Sequence, residues 1–243
     1  MVFDIQRHEL HEGVKPDPSM EAIVQRYTAD LQRARKTPLI ENVVPLETRF
    51  ARVRTQETNF GNFVADCMRE MTKSDVALLN SGTFRADRLF YQGNLTLGDL
   101  NTILPMMDRV VQLKMPGSIL KLALENSVSK YPTTSGRFLQ VSGIHFSFQP
   151  ATEPRIQDIE INGDKLNENK IYSVATKVYV AHGKGPFLPF FIDARWYNFE
   201  IVRRSLSKWN NVYRYFKTST FKECVFGCIS HPTYVISISP QAK

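Results

Sequence analysis

Cysteine is scarce in this chain: three in 243 residues, Cys67, Cys224 and Cys228, an odd number without a CxxC pair. That excludes a disulfide-stapled scaffold and a four-cysteine zinc site. Long apolar runs are missing too. No window approaches the roughly 18 uninterrupted apolar residues of a membrane helix, and the N-terminus MVFDIQRHELHEG has no basic stretch followed by an apolar one. As written, the sequence is expected to be soluble, with no membrane segment and no secretion address, and its compartment stays open. Familiar catalytic signatures are also lacking: there is no GxSxG, P-loop or GxGxxG. His8-Glu9-Leu10-His11 is HExH rather than HExxH, so its imidazoles lack the i, i+4 spacing that puts two metal ligands on one helical face. His145, His182 and His231 stand alone. These residues assemble neither a catalytic constellation nor a metal site.

What is present is an uneven charge. The formal net charge is +7, but residues 188–243 hold eight Lys/Arg against three Asp/Glu, while residues 1–187 are nearly balanced. The same segment holds Trp196, Trp209, Cys224, Cys228 and 12 of the 27 aromatic residues. This shift in composition places a boundary near Phe187.

Residues 17–36 show Met20, Ile23, Val24, Tyr27 and Leu31 at helical spacing, with Asp17 or Ser19 as cap and Pro18 in the first turn. This predicts one amphipathic helix. The run 40–54 is β-like, with Pro45 marking an edge or a strand start. Thr58 and Asn59 offer caps to a helix whose Phe63, Val64, Cys67, Met68 and Met71 share a face. Residues 75–82 read as a buried strand entering an Asn-Ser-Gly turn, 96–103 and 117–130 as helices, and 109–115 as a strand between them. Residues 137–149 predict a strand interrupted at Gly143; Asn162-Gly163 predicts a hairpin turn. Residues 171–181 are a last strand or a strand entering a helix. Helices and strands mix without a regular βαβ beat, which favours α+β over a doubly wound sheet.

Three turns are suited to holding an anion and a flat ring. Asn80-Ser81-Gly82-Thr83-Phe84-Arg85 puts donors and a permanent cation at the end of an apolar strand. Thr58-Asn59-x-Gly61-Asn62 opens a helix, whose free N–H groups favour negative charge. His182-Gly183-Lys184-Gly185 adds a flexible basic turn just after Tyr179. Each taken alone reads first as a cap, a turn or a surface loop.

Several segments, in this order, resemble the C-terminal domain of the 5'-nucleotidase family: Glu57-Thr58-Asn59-Phe60-Gly61-Asn62, Leu79-Asn80-Ser81-Gly82-Thr83-Phe84-Arg85, Leu104-Pro105, Val110-Val111-Gln112-Leu113-Lys114, Gly136-Arg137-Phe138-Leu139-Gln140-Val141-Ser142-Gly143-Ile144, and Tyr179-Val180-Ala181-His182-Gly183-Lys184. The resemblance covers residues 40–187 and implies a mixed-sheet, layered α/β/β/α domain. Residues 1–39 then read as a connector containing linker helix 17–36, and 188–243 as a divergent basic aromatic tail.

In such a family an N-terminal metallophosphatase domain carries two divalent metal ions that activate water. The C-terminal domain binds the nucleoside part and swings it to the metals. Of the metal domain's usual motifs, an Asp-x-His start, Gly-Asn-His and a late Gly-His-x-His do not occur here, and Gly-Asp occurs only as Gly98-Asp99 and Gly163-Asp164, outside any such set. The resemblance therefore implies the nucleotide- or nucleoside-binding C-terminal domain of a phosphohydrolase of nucleotide catabolism, in a truncated form that binds without hydrolysing. Its partners are a nucleoside monophosphate or nucleoside and, in a longer protein, the metallophosphatase domain. A non-catalytic interaction module that kept the fold and lost the ligand is the alternative.

Carried over by position, Asn80 and Arg85 match the family's substrate-contacting turn, with Arg85 aimed at ribose or phosphate and Asn80 at the base or the metal-side end. Tyr179 falls where one of two rings sandwiches the base; the other ring's position, after Leu104-Pro105, is Met106. A further family arginine corresponds to Gln56, with Arg54 nearby. Gly185-Pro186-Phe187 stands where Asp-Gly-Phe is usual, which removes a carboxylate that holds the ribose hydroxyls. Past that point the resemblance stops. The change in composition there favours a tail translated from outside the native message, such as a retained intron or shifted frame, over a diverged segment. A nucleic-acid role for the tail ranks last, and Cys224-x-x-x-Cys228 with His231 matches no standard zinc pattern.

Overall fold

The computed structural model describes residue 4 and residues 7–9, 11–106, 108–183 and 236–238. Helix α1 spans Pro18–Arg35. Asp17 caps it: its Oδ1 accepts from the backbone N–H groups of Ser19 at 2.8 Å and Met20 at 3.0 Å. The Ser19 hydroxyl, followed by those two N–H groups, holds the Asp17 carboxyl below its ordinary range. The apolar stripe of α1 does not turn inward: Met20, Ile23, Val24, Tyr27 and Leu31 are all exposed, Tyr27 to 69%. Among the described residues none covers this face.

Strand β1 is Pro38–Asn42 and β2 is Leu46–Glu47. The β-like run then departs from its expected course, because Phe50–Val53 forms a helical turn, α2. The cause is distant in sequence. Asp87 Oδ1 accepts the Phe50 N–H at 2.6 Å, and Glu47 accepts the Arg49 N–H at 2.9 Å while pairing with its guanidinium. These carboxylates satisfy N–H groups that a strand would otherwise have to pair.

Helix α3, Asn59–Thr72, has Thr58 as its N-cap and buries Phe63, Val64, Cys67 and Met68, as its periodicity predicts. The remaining elements are β3 (Val76–Asn80), β4 (Leu89–Phe90), β5 (Gly93–Thr96), α4 (Leu97–Ile103), β6 (Val110–Pro116), α5 (Gly117–Val128), β7 (Leu139–Ser142), β8 (Ile144–Phe148), β9 (Ile156–Ile161), β10 (Asp164–Lys165), β11 (Ile171–Lys177), α6 (Val178–Ala181) and β12 (Ile236–Ile238). Thr96 and Asp99 form a reciprocal capping box on α4.

The main sheet has the order β6-β11-β3-β7, and a second sheet the order β10-β9-β8-β12. β3 is buried throughout, and its alternating side chains feed two cores. Ala77 and Leu79 pack with Phe60, Val64 and Met68 of α3 and with Phe84, Leu100 and Ile103. Val76 and Leu78 face a second core with Leu120 and Leu124 of α5 and Phe146, Phe148 and Ile159 of the second sheet. The result is a mixed α+β fold of several sheets with helices packed on them.

Two predicted breaks shape the sheets. Asn162 and Gly163 take φ of 55° and 85°, the left-handed pair that a two-residue hairpin needs. Gly143, at φ 72°, lies between β7 in the main sheet and β8 in the second. From the C-terminal segment, Ile236–Ile238 pairs in parallel with Phe146–Phe148. The sequence pattern predicts no element in this segment. Trp196, Trp209, Cys224, Cys228, His231 and Lys184–Phe187 lie outside the described residues. Among the described residues no helix is long and apolar enough to cross a membrane.

Candidate functional site

The main sheet concentrates its loops at one end. β11 runs parallel to β3, so both carboxyl ends point the same way. β6 and β7 run antiparallel to them, with Val110 opposite Lys177 and Leu139 opposite Asn80, so the amino ends of β6 and β7 reach the same end. All four strands thus deliver polar loop residues to one place, the end at which open sheets hold ligands.

A cavity of about 500 Å³ lies there. Asn80, Gly82 and Arg85 line it from the turn after β3. Met106 and Asp108 reach it from the α4–β6 connection, Ser135, Gly136 and Arg137 from the entry to β7, and Lys177 and Tyr179 from the end of β11 and from α6. Four of the five candidate residues, Asn80, Arg85, Met106 and Tyr179, therefore share one cavity although 99 positions separate the first from the last. The glycines make room for the wall. Gly82 N–H donates to Gly136 O at 3.0 Å, and a Cβ on Gly136 would stand only 3.0 Å from Gly82 Cα.

Gln56 is placed elsewhere. Its backbone carbonyl accepts from Gln140 Nε2 at 2.7 Å and its side-chain oxygen accepts from Arg52 at 3.2 Å. Arg54 is the guanidinium on the Arg85 side. Burial lowers its pKa, and the Arg85 cation lowers it further, with Asp87 opposing. Its Nε is buried without a hydrogen-bond partner among the described residues, and the group lies 3.9 Å over the Phe50 ring.

The Thr58-Asn59 helix start is not an anion site. Thr58 Oγ1 accepts the Gly61 N–H at 3.2 Å, and Asn59 Oδ1 accepts those of Phe60 at 2.8 Å and Glu47 at 3.0 Å. Asn62 donates to Glu57. The N–H groups that would attract an anion are used within the protein.

A polar chain crosses the cavity wall. Lys177 Nζ pairs with Asp108 Oδ2 at 2.7 Å and donates to Thr83 Oγ1 at 3.1 Å. An ammonium only donates, so the Thr83 hydroxyl proton goes on to Asn80 Oδ1 at 3.0 Å. With its oxygen occupied, Asn80 turns its amide N–H groups toward Gly136 O, at 3.5 Å, and the cavity. Lys177 is also 5.8 Å from the centre of the Tyr179 ring, within cation–π range. Tyr179 and Met106 remain partly exposed and present apolar surface. Sequence reasoning missed Lys177 and Asp108; their only signal was a lone lysine closing an apolar strand.

Among the described residues no cluster of three or more His, Cys, Asp or Glu could hold a metal ion. The residues of the cavity do not fit a two-metal hydrolytic centre.

A mixed sheet whose strand ends carry a cation-rich, partly aromatic cavity defines an α+β domain with a polar cavity at one end. The chain belongs to the 5'-nucleotidase C-terminal domain family, whose model (5'-nucleotidase, C-terminal domain) matches residues 37–191. Among curated proteins it is 28% identical over 218 residues to the trifunctional nucleotide phosphoesterase protein YfkN of Bacillus subtilis, covering 83% of this chain and 15% of that protein. It is 27% identical over 201 residues to the human 5'-nucleotidase, covering 73% of this chain and 35% of that enzyme. The fold is similar to the crystal structure of a 5'-nucleotidase precursor from Thermus thermophilus, with a TM-score of 0.70 and 24% identity over 92% of this chain and 43% of that one. The chain spans less than half the length of each of these relatives.

Proposed function

We propose that the sheet-end cavity binds a nucleoside monophosphate or nucleoside, as the substrate-binding part of a 5'-nucleotidase-type phosphohydrolase. In this reading the two divalent metals and the hydrolytic step belong to an N-terminal metallophosphatase domain. The supporting observation is the convergence of Asn80, Arg85, Met106 and Tyr179 on one cavity. Arg85 suits the anionic end of such a ligand. Tyr179 and Met106 suit the two faces of a base, the thioether being the weaker and less orienting of the two. Asn80 offers N–H groups to a ring acceptor. Arg54 adds positive potential behind Arg85.

AMP is expected to raise the melting temperature of the full chain, and Arg85→Ala and Tyr179→Ala are each expected to shrink the shift. For Tyr179→Ala the loss of stacking corresponds to about 1–3 kcal/mol of binding. Thermal melts across a series of AMP concentrations measure this. The absence of a shift with any nucleoside monophosphate overturns the reading.

A further inference from the structure

Arg85, Arg137 and Lys177 are the cations of the cavity, and Asp108 is the single carboxylate among its described lining residues. For a site that takes an anion this is an anomaly, since a carboxylate facing the same space repels the ligand's charge. Neutralising Lys177 accounts for part of its presence, because a buried ammonium needs a partner. It does not account for the arrangement. The Lys177 side chain is 2% exposed and that of Asp108 is 31% exposed, so the cation sits inside the wall and the anion on its open side.

A carboxylate offers about four acceptor positions and no donor. The Lys177 bond engages Oδ2 alone, at 2.7 Å. What remains asks for donors from whatever enters. A phosphate or a ring acceptor cannot supply them; a base's exocyclic amine or the sugar hydroxyls can, and two adjacent hydroxyls present two separate donors, in charge-assisted O–H···O⁻ bonds. The position suits a sugar, because Asp108 lies in the same connection as Met106, while Lys177 is two residues from Tyr179. Lys177 also reaches Asn80 through Thr83, so one buried ammonium fixes an acceptor and a donor in the same wall.

We propose, resting on the nucleotide reading above, that Asp108 is a specificity residue that accepts the vicinal hydroxyls of the ligand's ribose, and that Lys177 is the positioning residue that holds its carboxylate toward the cavity. The chain should therefore prefer ribonucleotides to analogues lacking the sugar hydroxyls.

The experiment is titration calorimetry of the full chain with AMP and with its dideoxy analogue, which lacks both hydroxyls. The wild type is expected to bind AMP about tenfold to a hundredfold more tightly, the range of hydrogen bonds to a charged acceptor. Asp108→Asn should reduce that ratio to about threefold or less, mainly by weakening AMP. Because Asp108→Asn leaves Lys177 buried without its counter-charge, the double variant Asp108→Asn/Lys177→Met, with neither charge, is measured beside it and should show the same collapsed ratio. Lys177→Met alone should lower the ratio, an effect a purely structural lysine would not produce.

A wild type that binds both ligands equally overturns the proposal and leaves the nucleotide reading standing. Full discrimination retained in Asp108→Asn or in the double variant also overturns it. A wild type that binds no nucleoside monophosphate overturns both readings.

Discussion

Replacing Gln140 by leucine is expected to cost about 3 kcal/mol of stability or more, judged by the penalty for leaving several buried polar groups unpaired. Gln140 is fully buried, and its amide joins parts of the chain more than 80 residues apart. Its Oε1 accepts from Thr58 N–H at 3.0 Å and from the Thr58 hydroxyl at 3.2 Å. Its Nε2 donates to the carbonyls of Val53 at 3.0 Å and Gln56 at 2.7 Å. Leucine matches the size and makes none of these bonds. A loss of about 3 kcal/mol lowers the melting point of a domain of this size by about 6–12 °C. A melt within about 2 °C of wild type would contradict this role. The contact also ties together two of the segments that carry the family resemblance. Gly61 leaves the space through which the Gln140 amide passes: a Cβ there would stand 2.0 Å from Gln140 Oε1.

Gly143→Ala is expected to have a comparable effect by another route. At φ 72° an alanine bears the left-handed strain of about 1–2 kcal/mol. Its Cβ would also lie 2.3 Å from the Asp75 carbonyl oxygen, a backbone atom at the entry to β3 that cannot rotate away. Overpacking adds about 1–3 kcal/mol. Gly163 provides the internal control, since it has φ 85° but no atom within 4 Å of an added Cβ. Gly163→Ala should therefore show the conformational strain alone. Denaturant unfolding of both variants gives the comparison, and equal losses would show that the Asp75 contact carries no weight.

Legibility in the sequence followed the range of the interactions involved. β3, α3 and the Asn162-Gly163 hairpin are set by local periodicity, caps and φ preference, and they stand where those signals put them. α2 was misread because its cap is Asp87, 37 residues downstream. The stripe of α1 was correctly periodic, yet periodicity reports only that a face could be covered, and in the described structure it is exposed. In the site, the residues on strand-end motifs could be named in advance, because the resemblance supplied their positions. Lys177 and Asp108 could not, since their meaning rests on a pairing across 69 residues. Arg54 was noticed only as a neighbour of Gln56; its facing of Arg85 depends on how the α2–α3 connection is tied to Gln140.

The most direct test of nucleotide binding in the sheet-end cavity is to follow backbone amide NMR signals of the full chain during titration with AMP. Binding there predicts saturable shifts concentrated at Asn80–Arg85, Ser135–Arg137 and Lys177–Tyr179, with α1 and the β9–β10 hairpin unmoved. Shifts confined to other surfaces, or none up to millimolar AMP, would contradict it.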